Sequence, residues 1–465
     1  MTTKNWNVEI QQVQLNDLGV DAAQKLGMVV VQPQYDLVAD GAVPFQIADI
    51  YRKGQIETVE RAFKIRASEN EHRDLPVPFV LFPEASIPLD DSGGLDYLGH
   101  QMENIEQDVI FIGGIEGISP QQAQDLTKRF PSSSPEFDLS FTAGAFVNVC
   151  VIVIKPANGI LHWFFQSKIR PSQWEQPRNM ANGKRILYFV APRLTFFCEI
   201  CFDHIASQGD EHLNTVLCKQ LAAVTQPNAA SVDFIFVPQN NPKPEHTSAR
   251  KNTSILLNYQ DRLLKNDSAT VVVVNKASTA TALTEYGHSG FHYREGRWRV
   301  SKADVGPKGY SLRDFEGVTS AIFRRRAEAI HVATLIPSTQ NTGDSGNSRF
   351  PLENPRSHLP KEDCEPWCAC LMGQTCPTGR FLACDCLPCA LSDTLTSDLP
   401  TTDIKKRWKG YDDAGTEALR AWYHSVRTRL LQMGAERARQ ITSLLLGIRS
   451  VPTLFEQNQL VLRSG

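Results

Sequence analysis

GMVVVQPQYDL (27–37), IYRKGQIETVERAFKIRASEN (50–70) and VPFVLFPE (77–84) follow one another near the start of the chain. The first and third stretches are short, apolar and rich in β-branched or aromatic residues, which is typical of buried strands. The middle stretch repeats its apolar residues near helical spacing, at Ile56, Val59, Phe63 and Ile65. A β-α-β opening of this kind predicts an α/β fold, in which helices cover a sheet.

Similar short apolar runs continue to residue 336, and we predict that most of them are strands. They are DVIFIGGIEG (108–117), AFVNVCVIVIKP (145–156), GILHWFFQSK (159–168), KRILYFVAP (184–192), LTFFCEICFD (194–203), VDFIFVPQNN (232–241), TVVVVNKAS (270–278) and SAIFRRRAEAIHVATLI (320–336). Helical patterns near 210–225 and 249–265 separate some of these runs. The alternation predicts one large α/β domain over residues 1–336.

The composition is that of a globular protein, with 42% hydrophobic and 21% charged residues. A net charge of −3 gives no overall reason to expect nucleic acid or an anionic membrane as a partner. No apolar run approaches the roughly 18–20 residues that span a bilayer, and the start MTTKNWNVEIQQ lacks the apolar stretch of a secretory signal. We therefore expect a cytoplasmic protein with reduced thiols and no membrane association.

Three of the predicted strands end in a side chain that can take part in catalysis. Glu84 ends one run, and its carboxylate could accept a proton. Lys168 follows an aromatic run, where its ammonium could stabilise an oxyanion. Cys201 closes a third run, where its thiolate could act as a nucleophile. Taken singly, each has an ordinary alternative: a solvated glutamate, a lysine whose stem covers apolar surface, and an unreactive core cysteine.

Taken together and in this order, FPE (82–84), SK (167–168) and ICFD (200–203) resemble the base, lysine and nucleophile motifs of the carbon–nitrogen hydrolase, or nitrilase, superfamily. GMVVVQ, FIGGIEG and VVVVNKAS are similar to further strands of that family. The resemblance spans about residues 25–335. It implies an αββα sandwich, with the three side chains at the ends of the sheets and with homodimers that pair two sandwiches.

The resemblance also implies a mechanism, in which a thiol hydrolase cleaves a non-peptide C–N bond in a small amide, nitrile or carbamoyl substrate. Glu84 would take the proton from Cys201, whose sulfur would form an acyl-cysteine intermediate. Lys168 and the backbone N–H of Phe202 would hold the oxyanion, and Glu175 would support the lysine. This chemistry needs no cofactor. The substrate stays open, as does transfer to an amine in place of water.

A linker and a cysteine-rich segment are expected beyond this domain. Residues 337–363 are rich in Gly, Ser, Pro and Asn, which indicates a linker. Segment 364–389 then holds seven cysteines: Cys364, Cys368, Cys370, Cys376, Cys384, Cys386 and Cys389. So many soft ligands close together predict a structural zinc site. Unligated thiols, disulfides formed on oxidation, or an iron–sulfur cluster are the alternatives.

The remaining residues, 390–465, are predicted to form a basic helical tail. Between 404 and 449 there are ten Lys or Arg residues against four acidic ones, and an apolar stripe runs along 411–448. We favour a solvated helix whose stripe packs on the hydrolase domain or on a second subunit. The alternative is a nucleic-acid or protein partner bound by the tail, which would make the chain a regulatory or interaction module with a hydrolase fold.

Metal removal tests the zinc prediction. We expect dialysis against a chelator to release zinc and to make segment 364–389 sensitive to protease. The segment has too few apolar residues to form a core, so metal binding must supply its folding free energy. Elemental analysis and limited proteolysis before and after dialysis measure the effect. Alkylation of Cys201 should be unchanged by the treatment. A chain that holds no metal as purified would contradict the prediction.

Overall fold

The computed structural model describes residues 6–73, 75–89, 94–130, 139–208, 211–224, 232–244, 269–278, 285–293, 298–299, 310–315, 318–323, 328–337 and 356–358. Several predictions fall outside these residues. They are the helix at 249–265, the cysteine-rich segment 364–389 and the basic tail 390–465. Arg356–His358, within the predicted linker, pair with the strand that ends at Pro337.

The described part of the chain contains four α-helices and twenty strands. The helices are α1 (Asp49–Arg73), α2 (Gly94–Glu103), α3 (Pro120–Arg129) and α4 (Leu213–Val224). The first ten strands are β1 (Glu9–Gln14), β2 (Leu26–Gln32), β3 (Leu37–Val38), β4 (Gln46–Ile47), β5 (Phe79–Leu81), β6 (Val109–Ile118), β7 (Val147–Lys155), β8 (His162–Ser167), β9 (Arg185–Ala191) and β10 (Leu194–Cys198). The other ten are β11 (Ser207–Gln208), β12 (Glu211–His212), β13 (Phe234–Gln239), β14 (Thr270–Asn275), β15 (Gly290–Tyr293), β16 (Trp298–Arg299), β17 (Tyr310–Phe315), β18 (Val318–Phe323), β19 (Ala329–Pro337) and β20 (Arg356–His358).

These elements form two large mixed sheets. The first has the strand order β1-β9-β10-β13-β14-β15-β18-β17, and the second has the order β16-β19-β2-β5-β6-β7-β8, with β20 beside β19. In each sheet three central strands are parallel, β10-β13-β14 in the first and β2-β5-β6 in the second. The apolar runs of the sequence supply both centres, because a strand covered on both faces must be apolar throughout.

The two sheets pack face to face around an aromatic core. Phe79 of the second sheet lies 5.2 Å from Phe236 and 5.4 Å from Phe234 of the first, between ring centroids. Such pairs add about 0.5–1.5 kcal/mol each to the free energy gained by burying their apolar area. Alternate residues of the same strands therefore face two different cores, one between the sheets and one beneath helices.

Helices cover the outer face of each sheet. Helices α1, α2 and α3 bury apolar residues against the second sheet, and α4 buries Leu213, Leu217 and Leu221 against the first. The described residues thus form four layers in the order α-β-β-α, a mixed α/β architecture. Helices α1 and α4 occupy the segments where helical periodicity predicted them. None of the described helices has both the length and the apolar character needed to cross a bilayer.

A buried ion pair at the end of β6 holds the loops around the sheet end. A β-bulge between Ile115 and Ile118 interrupts the pairing with β7, and within it lies Glu116, whose side chain is fully buried. Its carboxylate is paired with the guanidinium of Arg52 at 2.8 Å. It also accepts hydrogen bonds from the backbone N–H groups of Ile47, at 2.8 Å, and Leu89, at 2.6 Å.

We expect Glu116→Ala to lower the free energy of unfolding by about 3–5 kcal/mol, because Arg52 would keep a largely buried charge without its buried partner. The contact that Arg52 makes with exposed Asp49 is longer, at 3.8 Å. Urea unfolding followed by circular dichroism measures the change. Glu57→Ala is the matched control, since Glu57 pairs with Lys53 in solvent, and it should cost less than about 0.5 kcal/mol. Equal effects of the two substitutions would contradict the assigned role of Glu116.

Candidate active site

The Glu84 loop follows β5 directly, and its backbone is clamped. Tyr35 donates its hydroxyl hydrogen to the carbonyl oxygen of Glu84 at 2.5 Å. Ala85 takes a left-handed conformation, with φ of 53°, which turns the chain immediately after the carboxylate. Gly114 of β6 lies against this turn, because a Cβ at Gly114 would come within 2.6 Å of the Glu84 Cα. The loop is therefore fixed by its neighbours, and the Glu84 side chain is buried.

Lys168 lies at the end of β8, with a side chain that is 1% exposed. Its backbone N–H donates to the carbonyl oxygen of Asn148 at 2.9 Å. Its ammonium donates to Glu84 Oε1 and to Glu175 Oε2, each at 2.7 Å. The predicted supporting glutamate and the predicted lysine are thus in direct contact. The alternative of a lysine whose head group lies in solvent is wrong for Lys168.

Asn148 is a member of this cluster that the sequence did not reveal. Its side-chain amide donates to Glu84 Oε1 at 2.7 Å and to Glu175 Oε1 at 2.7 Å. Glu175 Oε2 also accepts from the backbone N–H of Ser172 at 2.7 Å. The one signal in the sequence is a polar residue within VNVCVIVIK, a run that is otherwise apolar up to its final lysine.

Cys201 begins a 3₁₀ turn, Cys201–Ile205, and two residues separate it from the end of β10. Its φ is 49°, a conformation that is uncommon for residues other than glycine. It is partly exposed, whereas Cys150, Cys198 and Cys218 are buried. Cys198 lies in the core between the sheets. Among the four described cysteines, Cys201 is thus the one that is not fully buried.

A buried carboxyl group joins the turn that begins at Cys201 to the residues that follow Lys168. Asp203 accepts hydrogen bonds from the backbone N–H groups of Ile169, at 3.0 Å, and Arg170, at 2.8 Å. Burial raises the pKa of Asp203 to about 8, although the Lys168 ammonium and these two N–H groups act in the opposite direction. The backbone of Phe202, predicted to donate to an oxyanion, lies within this anchored turn.

The electrostatics keep the Cys201 thiol protonated. Burial and the Glu84 carboxylate raise the pKa of Cys201 well above its usual value, and Glu175 adds to this effect. The Lys168 ammonium and the backbone N–H of Asn240 lower that pKa, but by less. The same N–H donates to Glu84 Oε2 at 3.0 Å. Asn240 therefore lies beside both the thiol and the second oxygen of Glu84, and the thiol needs a base to become a nucleophile.

A cation between two aromatic rings lies near these groups. The Lys276 ammonium is 4.4 Å from the ring centroid of Tyr286 and 5.1 Å from that of Tyr35. It donates to the carbonyl oxygen of Tyr35 at 2.7 Å. Both tyrosines interact electrostatically with Cys201. Tyr286 has a φ of 58°, a second non-glycine residue in the left-handed region beside the thiol.

Within the part of the chain that the structure describes, no group of three or more His, Cys, Asp or Glu residues could hold a metal ion. The seven cysteines of segment 364–389 lie outside that part. A zinc site there stays a prediction.

Comparison with known proteins gives structural matches alone. A scan against family models and a search of curated proteins both found no match. Among solved structures, XC1258 from Xanthomonas campestris, a CN-hydrolase superfamily protein with an arsenic adduct in its active site, is 13% identical. The match covers 67% of this chain and 91% of that one, with a TM-score of 0.39.

Two further matches are an amidase and a synthetase. An amidase from Nesterenkonia sp. AN1, in complex with acrylamide, is 9% identical over 70% of this chain and 93% of its own, with a TM-score of 0.37. A glutamine-dependent NAD+ synthetase from Acinetobacter baumannii is 14% identical over 67% of this chain and 45% of its own, with a TM-score of 0.34. XC1258 is from the superfamily that the sequence motifs resemble. TM-scores below 0.5 do not establish a common fold. The architecture described above follows from the sheets and layers of this chain alone.

The raised pKa of Cys201 predicts how its alkylation depends on pH. The rate with iodoacetamide should still be rising above pH 9, because the thiolate is the reactive form. Glu84→Gln removes a negative charge that raises the thiol pKa, so alkylation at pH 8 should become faster, by about tenfold for each unit by which the pKa falls. Mass spectrometry of the peptide that contains Cys201 measures the rate. Glu106→Gln, at an exposed carboxylate, is the control, and slower alkylation of Glu84→Gln would contradict the prediction.

Proposed function

We propose that this chain is a carbon–nitrogen hydrolase that cleaves a non-peptide C–N bond of a small amide, nitrile or carbamoyl compound. Cys201 is the nucleophile, Glu84 the general base and Lys168 the oxyanion-stabilising cation. Glu175 supports Lys168. The observation that carries this proposal is the meeting of a buried carboxylate and a buried ammonium beside a partly exposed thiol, at the ends of three separate strands.

The first half-reaction begins with a proton transfer from Cys201 to Glu84. Glu84 Oε1 already accepts hydrogen bonds from Lys168 and Asn148, so Oε2, beside Asn240, is the oxygen that takes the proton. The sulfur then bonds to the amide carbon, whose C=O electrons move to the oxygen. When the C–N bond breaks, Glu84 returns the proton to the leaving nitrogen, and an acyl-cysteine thioester remains.

Stabilisation of the oxyanion uses donors that the fold holds in place. An ammonium has three N–H donors, and the two carboxylates take two from Lys168, which leaves the third for the substrate oxygen. The backbone N–H of Phe202 is the second donor, on the turn that Asp203 anchors. Donors fixed in a site of low dielectric need little reorganisation as the charge develops.

The second half-reaction releases the acid. Glu84 takes a proton from a water molecule, the hydroxide adds to the thioester carbon, and the C–S bond breaks. The sulfur recovers its proton from Glu84, so the enzyme returns to its starting state. An amine in place of water would give a new amide by the same steps.

We expect Cys201→Ala to lower turnover at least about 10³-fold while the circular dichroism spectrum stays unchanged, because the nucleophile has no substitute. A panel of amides, nitriles and N-carbamoyl compounds, with and without an added amine, measures turnover and product. Intact-mass spectrometry should detect an acyl adduct that Cys201→Ala lacks. Cys218→Ala, at a buried thiol of α4, is the control. Turnover retained in Cys201→Ala would contradict the assigned nucleophile.

A further inference from the structure

We infer that Asn148 is a positioning residue that holds Glu84 and Glu175 together on one ammonium and leaves a single oxygen of Glu84 as the base. This inference rests on the proposed function for the role of Glu84. The contacts themselves do not depend on it, since they are present whatever the substrate.

The position of Asn148 on β7 explains how a polar side chain reaches the site. Cys150 and Ile152 of the same strand face the core between the sheets, whereas Val147 and Val149 face the helices. Side chains alternate along a strand, so Asn148 continues the inner face towards the site. It is the first inward position after β7 begins at Val147, where the apolar core meets the catalytic groups.

The hydrogen bonds form a closed ring of four side chains. Lys168 joins Glu84 Oε1 to Glu175 Oε2, and Asn148 joins Glu84 Oε1 to Glu175 Oε1, all at 2.7 Å. Both amide hydrogens of Asn148 are used, one for each carboxylate. The ring therefore has two bridges, of which one carries a positive charge and the other is neutral.

The uncharged bridge of Asn148 lies between two carboxylates that repel each other. Two carboxylates that share one cation repel each other, and in a buried site one of them would tend to bind a proton. A second cation would remove that tendency, but it would also stabilise the Cys201 thiolate and change the charge of the site. An amide donates to both carboxylates without adding charge to the site.

The same ring decides which oxygen of Glu84 is basic. Oε1 has its acceptor capacity filled by Lys168 and Asn148, whereas Oε2 accepts the backbone N–H of Asn240. Without Asn148, Oε1 would regain a lone pair and the carboxylate could rotate about its bond to the side chain. Loss of the amide should therefore lower kcat more than it raises KM.

The ionisable members of the ring are Glu84, Glu175 and Lys168. The ionisable groups beside it are Cys201, Tyr35 and Asp203. Glu175 reports on Asn148 most directly. Burial raises the pKa of Glu175, but the ammonium of Lys168 and hydrogen bonds from Lys168, Ser172 and Asn148 together hold it below its usual value. A variant without the amide loses one of these contributions.

Two substitutions at Asn148 separate positioning from packing. Asn148→Asp keeps the shape of the side chain but replaces the donor with a third carboxylate, whereas Asn148→Ala leaves a space. We expect kcat at pH 8 to fall about 100-fold or more in Asn148→Asp and less in Asn148→Ala, with KM within about threefold in both. The reverse order, in which Asn148→Asp is the more active, would mean that Asn148 only fills space and would overturn the inference.

A second measurement does not require a known substrate. Asn148→Leu has nearly the shape of asparagine without its donors. Because the folded-state pKa of Glu175 is lowered, its stabilising contribution is present above the unfolded value of 4.5 and is lost as the pH falls through the folded value. The loss of stability in Asn148→Leu should therefore be largest near pH 7 and smaller near pH 4.

Gln166→Met is the matched control for this measurement. Gln166 is a buried amide on the adjacent strand β8, and its partners are the backbone groups of Cys198 and Leu187, which do not titrate. Its loss of thermal stability should be the same at pH 7 and pH 4. If Asn148→Leu also shows a loss that does not change with pH, the inference is overturned.

The two measurements distinguish failure of this inference from failure of the proposed function. Suppose that the chain hydrolyses no compound of the panel, but that Asn148→Leu shows the pH-dependent loss of stability. This result would support the role of Asn148 in the ring and contradict the proposed hydrolase function. Suppose instead that turnover needs Cys201 and Glu84, that Asn148→Asp is more active than Asn148→Ala, and that no pH-dependent loss of stability is seen. This result would support the hydrolase function and contradict the role of Asn148.

Discussion

The buried ammonium of Lys168 is the constraint on which the rest of the site depends. Removing an ion of this size from water costs several kcal/mol even after relaxation, and a partner recovers that cost only in good geometry. Glu84 and Glu175 supply that geometry at 2.7 Å each. Because each carboxylate is itself buried, each would lose its charged partner without the lysine. Two segments distant along the chain, one with Glu84 and one with both Lys168 and Glu175, must therefore be in place together before the site has its charges.

Buried carboxylates that bind backbone N–H groups hold those segments in place. Glu116 joins the loop after Glu84 to α1 and to the β3–β4 hairpin. Asp203 joins the nucleophile turn to the residues that follow Lys168. At the other end of the sandwich, Asp233 accepts from the backbone and the hydroxyl of Thr195, at the start of the nucleophile strand. Hydrogen bonds to an ionised acceptor are about twice as strong as neutral ones, which applies to Glu116 beside the Arg52 guanidinium. Burial raises the pKa of Asp203 to about 8, so Asp203 holds its turn by the number of its hydrogen bonds and not by its charge.

The charge of the site also limits the mechanism that Cys201 can use. Burial raises the pKa of the thiol, and two carboxylates against one ammonium in the immediate surroundings raise it further. A cysteine beside a histidine or a helix N-terminus instead rests as a thiolate. In the mechanism that we propose, the thiolate forms as Glu84 removes the proton during attack. A protonated thiol reacts slowly with oxidants and electrophiles, since the thiolate is the reactive form.

Apolar runs in the sequence determined the strands, because a strand buried on both faces must be apolar throughout. They also indicated the site, because a reactive side chain at the end of such a run is conspicuous. Glu84, Lys168 and Cys201 were visible for that reason. Asn148 and Asp203 were not, since their roles lie in partners between 27 and 64 residues away along the chain. Strand β1 was missed because EIQQVQ is mostly polar. Tertiary structure alone decided the ring of hydrogen bonds, since packing the two sheets together is what sets the distances among its four side chains.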